Sequence, residues 1–298
     1  MQKAGFIGLG AMGGPMARNL AKAGLLQGVW NRTVAKAQSL ASELGTSVAQ
    51  SPASLAAACD VVVICVSADA DLLQTVDALL PGAHPGLLVI DCSTVSAGCA
   101  RECAQKLALH GSGFVDAPVS GGVEGAKNAA LAIMVGGSAE DFERALPVLK
   151  AMGKTVTRLG PVGFGQATKA TNQIMCAGII QVVAEAMAFA KAEGLPLDQV
   201  IETLGQGAGS SWYFVNRAPF MSRQAYPAGF RVRLHDKDLK ICRDMAAKHG
   251  VALPSVESVL TEYSQLMAAG HGDEDISTIF RLKEALFAQA NSPALKAP

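Results

Sequence analysis

Lys169 is the residue whose placement most asks for a chemical explanation. It stands at the entrance of a long, weakly charged run, within Gly160-Pro161-Val162-Gly163-Phe164-Gly165-Gln166-Ala167-Thr168-Lys169-Ala170-Thr171-Asn172. A helix lysine ordinarily carries its ammonium out to solvent. Small and apolar residues surround this position, however, and desolvation makes an ammonium a stronger acid than the ~10.4 of a lysine in water. Such a group can polarise a carbonyl oxygen and protonate the alkoxide that hydride addition leaves behind. Lys169 is therefore the candidate proton donor of a carbonyl reduction. Asn172, three residues on and on the same helical face, is the candidate for orienting the substrate.

Two glycine-containing segments and one arginine complement that lysine. Gly8-Leu9-Gly10-Ala11-Met12-Gly13 follows the short apolar run Lys3 to Ile7 and precedes Met16, Leu20 and Ala23 at helical spacing. Strand, glycine turn and helix in that order are the context that a dinucleotide fingerprint requires: Gly8 for the turn, Gly10 for backbone approach to a pyrophosphate, Gly13 for helix-on-strand packing. The alternative is an ordinary glycine-rich turn. The next apolar run, Leu26 to Trp30, ends in Asn31-Arg32-Thr33. An NAD-binding unit normally supplies an acid there for the ribose 2′-hydroxyl; a carboxylate repels a 2′-phosphate, whereas an arginine pairs with it. With Arg32 present and no acid, the segment points to NADP (NADPH) over NAD, against the plainer reading of a solvated surface arginine. Finally, Ser120-Gly121-Gly122 offers a hydroxyl and unobstructed backbone N–H groups, which suits a carboxylate. It equally suits a structural loop leading into a helix.

These residues need elements to hold them. Further apolar runs at Val61 to Val66, Leu87 to Asp91, Phe114 to Asp116, Leu131 to Val135 and Val156 to Leu159 read as strands. Ser51 to Ala58, Ala70 to Leu80, Val95 to Leu109 and Ala139 to Met152 read as the helices between them. Alternation of this kind predicts crossover units, a mainly parallel sheet, and ligands at the carboxyl ends of the strands, where Val66, Thr94 and Ser120 fall. From Gln166 to about Glu193 the pattern is one helix of ~40 Å, stopped by Gly194-Leu195-Pro196. Beyond it only helices are expected: Asp198 to Leu204, Ser211 to Met221, Asp236 to Lys248, Ser255 to Ala268 and Ile276 to Phe287, with a frayed tail from Ala290 through Pro293 and Pro298. The expected division is thus residues 1–162, an α/β cofactor-binding Rossmann domain, and residues 163–298, an all-α domain reached through a long interdomain helix.

The bulk numbers narrow the partners. The 298 residues are half hydrophobic and 17% charged, with 25 Lys plus Arg against 25 Asp plus Glu, so nothing points to nucleic acid or an anionic membrane. Seven cysteines without CxxC or Cys/His spacing read as reduced core thiols of a cytoplasmic protein, with no metal site. Met1-Gln2-Lys3 leads directly into the first strand, so no signal or transit peptide is expected. The apolar stretch Ile174 to Ala190 contains Gln181 and Glu185 and is expected to be a buried helix rather than a membrane span. His84, His110, His235, His249 and His271 are all expected at the surface.

Taken together, four segments resemble the signatures of the β-hydroxyacid dehydrogenases: Gly8 through Leu20, Asp116-Ala117-Pro118-Val119-Ser120-Gly121-Gly122, Gly160 through Asn172, and Lys237-Asp238-Leu239. That family includes 3-hydroxyisobutyrate dehydrogenase, tartronate semialdehyde reductase and the glyoxylate/succinic semialdehyde reductases. The resemblance covers nearly the whole chain. It implies hydride transfer between a nicotinamide and a short hydroxyacid or aldehyde acid. Catalysis would then fall on Lys169, substrate binding on Ser120, Gly121, Gly122 and Asn172, and cofactor contacts on the glycine loop, Thr94 and Lys237. Phe230 stands where the glyoxylate reductase branch places a pocket aromatic, with Trp212 a weaker candidate, and Asn31-Arg32-Thr33 looks like that NADP-preferring branch. An NAD-preferring hydroxyisobutyrate or tartronate semialdehyde enzyme, a 6-phosphogluconate dehydrogenase and a non-catalytic nucleotide-binding scaffold are the alternatives. A homodimer or homotetramer is the expected assembly.

Overall fold

The structure, a computed structural model, describes residues 2–290, and the tail expected to fray beyond Ala290 lies outside them. The chain divides into two compact units, Met1–Lys169 and Ala170–Pro298.

In the first unit the elements run β1 (Ala4–Ile7), α1 (Gly13–Lys22), β2 (Leu26–Trp30), α2 (Val34–Leu44), β3 (Ser47–Val48), α3 (Pro52–Ala58), β4 (Val61–Ile64), α4 (Asp69–Leu79), β5 (Leu88–Asp91), α5 (Ala97–Ala108), β6 (Gly113–Asp116), β7 (Val119–Ser120), α6 (Gly122–Lys127), β8 (Leu131–Gly136), α7 (Ala139–Lys150) and β9 (Gly153–Gly160). They build one nine-stranded sheet in the order β3-β2-β1-β4-β5-β6-β8-β7, with β9 on β8. β1, β2, β3, β4, β5 and β6 are parallel, whereas β8 runs antiparallel to β6 and β7. This is the expected Rossmann sheet with a reversed edge.

The strands read as continuous apolar runs because both faces are covered. Within β4, Val61 and Val63 join the core that holds Met16 and Leu20 of α1 and Val148 of α7. Their neighbours Val62 and Ile64 point the other way, to Leu55 of α3, Leu72 and Val76 of α4 and Cys103 of α5. The period-2 alternation of a strand thus sorts one valine run into two cores. Six of the seven cysteines are buried, Cys65 is half-buried, and none is in a disulfide.

α8 (Phe164–Ala192) is a single 29-residue helix, beginning two residues before the expected start. It is long and apolar enough to cross a membrane by length and composition, yet half of its apolar window is buried in the structure. Ala177, Ile180, Ala184 and Met187 recur at helical spacing into the second unit's core, while Met175, Val182 and Phe189 remain more than half exposed. The expectation of a buried helix therefore holds for one face of it.

The second unit continues with α9 (Leu197–Leu204), α10 (Trp212–Ser222), α11 (Val232–Ala247), α12 (Pro254–Ala268) and α13 (Phe280–Ala290), the last preceded by a 3-10 turn over Ile276–Ile279. Two expectations are corrected here. α11 begins four residues before Asp236, at Val232. The last helix is broken in two because the Asp275 carboxylate accepts the Ser277 amide and starts a separate turn.

Candidate active site

Strands β1, β2, β4, β5 and β6 are mutually parallel, so the segments that follow them emerge on one edge of the sheet. Those segments are Gly8 to Gly13, Asn31-Arg32-Thr33, Val66, Thr94 and Asp116 to Gly122. The fold thus brings the first-unit candidates to one sheet edge.

The glycine turn has the geometry that a dinucleotide needs. Gly8 takes φ +95°, and a Cβ there would collide with the Cys65 carbonyl oxygen. A Cβ at Gly13 would strike the Gly8 carbonyl oxygen, so α1 and β1 pack as closely as backbone allows. Gly10, by contrast, faces open space, with no atom within 4 Å of an added Cβ. Gly10 and Ala11 are exposed, Met12 is half-buried, and α1 starts without a side-chain cap or an acidic residue in its first turn. Its first N–H groups and the positive end of its dipole suit a pyrophosphate. These residues fit a nicotinamide dinucleotide.

Asn31 braces that turn from within: its Oδ1 accepts the Leu9 amide at 2.9 Å and its Nδ2 donates to the Thr33 carbonyl at 3.0 Å. Thr33 precedes α2 without capping it. Arg32 extends into solvent, its side chain 79% exposed, and one guanidinium nitrogen lies 3.0 Å from the Asp71 carboxylate in the first turn of α4. The Val66 amide donates to the Ser93 hydroxyl at 2.9 Å, tying the loop after β4 to the loop after β5 that carries Thr94. Ser120 is half-buried in β7; Gly121 and Gly122 are exposed with φ +132° and +62°, and they lead into α6.

Lys169 is only 7% exposed, in the second turn of α8. Two buried carboxylates lie beneath the start of that helix. Asp116 Oδ1 accepts the Gly163 amide at 2.7 Å and Oδ2 the Gln166 amide at 2.8 Å. Burial raises the Asp116 carboxyl above its ordinary value, and those two amides oppose the rise. Asp91 is pushed up to about 7, first by burial and further by Asp116 and Asp69, against its hydrogen bonds from Ser93.

Four candidates belong to the second unit. Asn172 spends its amide on Gln173 Oε1 at 2.8 Å and Cys176 Sγ at 3.4 Å. The Phe230 ring lies 5.0 Å from the His235 ring, and its amide donates to Asp275 Oδ2 at 2.9 Å. Lys237 pairs with Asp238 at 2.9 Å, and Asp238 also accepts Gln173 Nε2 at 2.6 Å. Trp212 opens α10, exposed, beneath the Arg217 guanidinium. The expectation of a surface histidine at 235 is corrected: His235 is fully buried, with Tyr263 Oη 2.9 Å and the Gln173 carbonyl 3.3 Å from its ring nitrogens. Two turns of helix supply those partners, and no local signal announces them. Among the described residues, no cluster of His, Cys, Asp or Glu is placed to hold a metal ion.

Gln166, Asp91 and Asp71 gain their place at the site from contacts that the sequence does not show. A polar residue in the first turn of an apolar helix, and an acid closing a buried strand, were the signals available.

The profile for the NAD binding domain of 6-phosphogluconate dehydrogenase matches residues 3–160, and that for NAD-binding of NADP-dependent 3-hydroxyisobutyrate dehydrogenase matches residues 163–283. An NAD-dependent L-serine dehydrogenase of Pseudomonas aeruginosa is 35% identical over 95% of this chain and 98% of its own. Glyoxylate/succinic semialdehyde reductase 1 of Arabidopsis thaliana is 30% identical over 92% and 96%. The 3-hydroxyisobutyrate dehydrogenase of Mycobacterium tuberculosis, solved with L-serine, superposes with a TM-score of 0.86 at 32% identity, over 95% of this chain and 99% of that one. With its fingerprint turn, its Rossmann sheet and a match across both units, the chain belongs to the 3-hydroxyisobutyrate dehydrogenase-related β-hydroxyacid dehydrogenases, NAD(P)-binding oxidoreductases.

Proposed function

We propose that this chain is an NADPH-linked reductase of short aldehyde or keto acids, glyoxylate and succinic semialdehyde among them, with Lys169 as the proton donor. The observation that carries the reading is a nearly buried lysine in the second turn of α8, in the same compact unit as the glycine turn and the Ser120 loop. The nicotinamide supplies the hydride. Lys169 gives its ammonium proton to the oxygen of the carbonyl being reduced, and its charge stabilises the oxyanion as it develops. Ser120, Gly121 and Gly122 receive the substrate carboxylate through a hydroxyl and backbone N–H groups. Gly8 to Gly13 hold the pyrophosphate, Arg32 the 2′-phosphate, with Asn31, Thr33, Val66 and Thr94 framing the dinucleotide. Asn172, Phe230 and Lys237 keep the parts that family resemblance gives them: substrate orientation, pocket aromatic and cofactor contact.

A second reading, NAD-linked oxidation of a 3-hydroxyacid, draws support from two observations. Arg32 is already engaged by Asp71, and the L-serine dehydrogenase that resembles the chain is NAD-dependent. One panel separates the readings: NADPH and NADH oxidation with glyoxylate, succinic, tartronate and methylmalonate semialdehydes, and NAD and NADP reduction with L-serine and 3-hydroxyisobutyrate. Lys169→Ala is expected to lose at least ~100-fold in kcat, the contribution typical of a positioned general acid. A wild-type rate in that variant removes Lys169 from the chemistry.

A further inference from the structure

We infer that Gln166 is the positioning residue of this site: its side-chain amide clamps the loop bearing Thr94 to the helix turn bearing Lys169, so that the cofactor-side loop and the proton donor are held as one piece. The inference rests on the reading of Lys169 as proton donor.

The clamp is built from both ends of the amide. Gln166 is 1% exposed. Its Oε1 accepts the Val95 amide at 3.2 Å, one residue after Thr94. Its Nε2 donates to the Ser93 carbonyl at 2.8 Å, one residue before Thr94, and more weakly to Asp91 Oδ2 at 3.3 Å. Thr94 is therefore gripped on either side by a single side chain that arrives 71 residues later in sequence. The Ser93 hydroxyl passes the restraint on to Val66. At its own backbone Gln166 is fixed in turn, since its N–H donates to Asp116 Oδ2, whose other oxygen accepts Gly163. Gly165 lets this happen: a Cβ there would collide with the carbonyl oxygens of Met134 and Asp116, so only glycine allows the first turn of α8 to sit this close to β6 and β8. Lys169 follows Gln166 by three residues and shares its helical face.

An amide fits these contacts without having to change its charge. It supplies one acceptor for an N–H and one donor for a C=O, both buried, and an unpaired group at either end would carry a desolvation cost. A donor misplaced by about 1 Å loses on the order of 100-fold in rate. That sensitivity makes the clamp a matter of catalysis as well as of stability.

The test uses the full-length protein, with NADPH and whichever aldehyde acid the panel selects. Gln166→Met keeps the volume and removes the hydrogen bonds. Its kcat is expected to fall on the order of tenfold or more, NADPH to bind several-fold more weakly, and the pH limb assigned to the proton donor to move. A folded Gln166→Met protein with a lowered melting temperature but kcat and pH limb within twofold of wild type overturns the inference, because a purely structural residue behaves in that way. Gln166→Glu decides the matter where the methionine variant does not fold. When ionised, the introduced carboxyl can accept from Val95 but opposes the Ser93 carbonyl; when protonated, it donates to that carbonyl again. The charged and titratable groups around it are Asp91 at the end of β5, Asp116 at the end of β6, Asp69 at the start of α4, Arg101 of α5 and Lys169 itself. Activity relative to wild type at the same pH is expected to recover as the pH falls, and a constant ratio overturns the clamp. Lys169→Ala is run alongside. If it is inactive while Gln166→Met behaves as wild type, the clamp alone fails; if it is fully active, the assignment of the proton donor fails and takes the clamp's purpose with it.

Discussion

Arg32→Ala tests the cofactor assignment most directly, and the structure supplies the magnitudes. In the absence of a 2′-phosphate, the guanidinium is held by Asp71 at 3.0 Å in a pair whose arginine side chain is 79% exposed. An exposed ion pair of this kind contributes about 0.2–1 kcal/mol and weakens with salt. A charge-assisted hydrogen bond to a phosphate contributes about 1.5–3 kcal/mol, so a 2′-phosphate outcompetes Asp71 for the guanidinium. Net of the Asp71 pair that the phosphate displaces, and at 1.36 kcal/mol per factor of ten, Arg32→Ala should lower kcat/KM for NADPH by roughly 2- to 100-fold, while kcat/KM for NADH is not lowered, because NADH lacks the group that Arg32 addresses. Asp71→Asn should move the selectivity the other way. Freeing the guanidinium from a pair of that strength raises the NADPH/NADH ratio by about 1.5- to 5-fold at low salt, and less at high salt. Initial rates with both cofactors at low and high ionic strength measure all of this. An unchanged NADPH/NADH ratio in Arg32→Ala refutes recognition of the 2′-phosphate by Arg32. A lowered NADPH preference in Asp71→Asn refutes the competition between Asp71 and the phosphate.

Two further perturbations separate folding from binding. Gly10→Ala places its methyl in open space, so the melting temperature should hardly move while NADPH affinity drops, on the order of tenfold, as the backbone loses its close approach to the pyrophosphate; unaltered affinity by calorimetry sinks the assignment of this turn. Gly13→Ala drives its methyl into the Gly8 carbonyl, and the resulting strain should cost about 1–3 kcal/mol of stability, visible by thermal denaturation. Asp91 gives the pH dependence: its carboxyl sits at about 7 in the folded chain, against ~3.9 when unfolded. The folded state therefore holds the proton longer, and the stability linked to that proton is complete below ~3.9 and is lost as the pH rises through about 7. Asp91→Asn cannot titrate, so its melting temperature should vary less between pH 5 and pH 8 than that of the wild type. An identical pH profile argues against a displaced carboxyl.

Much of the first unit was legible in local pattern. Gly8, Gly10 and Gly13 announce a turn because each spacing answers a steric demand within a few residues. The run Val61 to Ile64 announces a strand covered on both faces because alternation has nothing polar to alternate with. α8 was legible to within two residues at its start, since Gly163 and Gly165 precede a long apolar periodicity that Gly194 ends. Other elements left too little signal. β3 is two exposed residues, Ser47 and Val48, whose strand geometry comes only from pairing with β2. α2 buries no more than Ala37, Leu40 and Ala41, too narrow an apolar stripe to announce a helix. β8 and β9 run against β1 to β6 at one edge of a sheet that the crossover pattern describes only as mainly parallel.

The sequence by itself determined the type of most elements and the residue types at the sheet edge: a glycine turn, an arginine, a serine-glycine loop and a lysine at a helix entrance. Tertiary structure alone decided who restrains whom. Asp116 reaches Gly163 and Gln166, Gln166 reaches Val95, and Arg32 reaches Asp71, across 47, 50, 71 and 39 residues of chain. His235, which looked like a surface histidine, is buried against Tyr263 28 residues away. Periodicity records which face of an element is apolar, and that is a property of neighbours in sequence. A buried polar group is stable only when a partner satisfies it, and the partner is chosen by the packing of distant segments. For that reason Lys169 could be picked out from the sequence, while the clamp beneath it became visible only once the strands had brought Asp91, Ser93 and Asp116 to the foot of its helix.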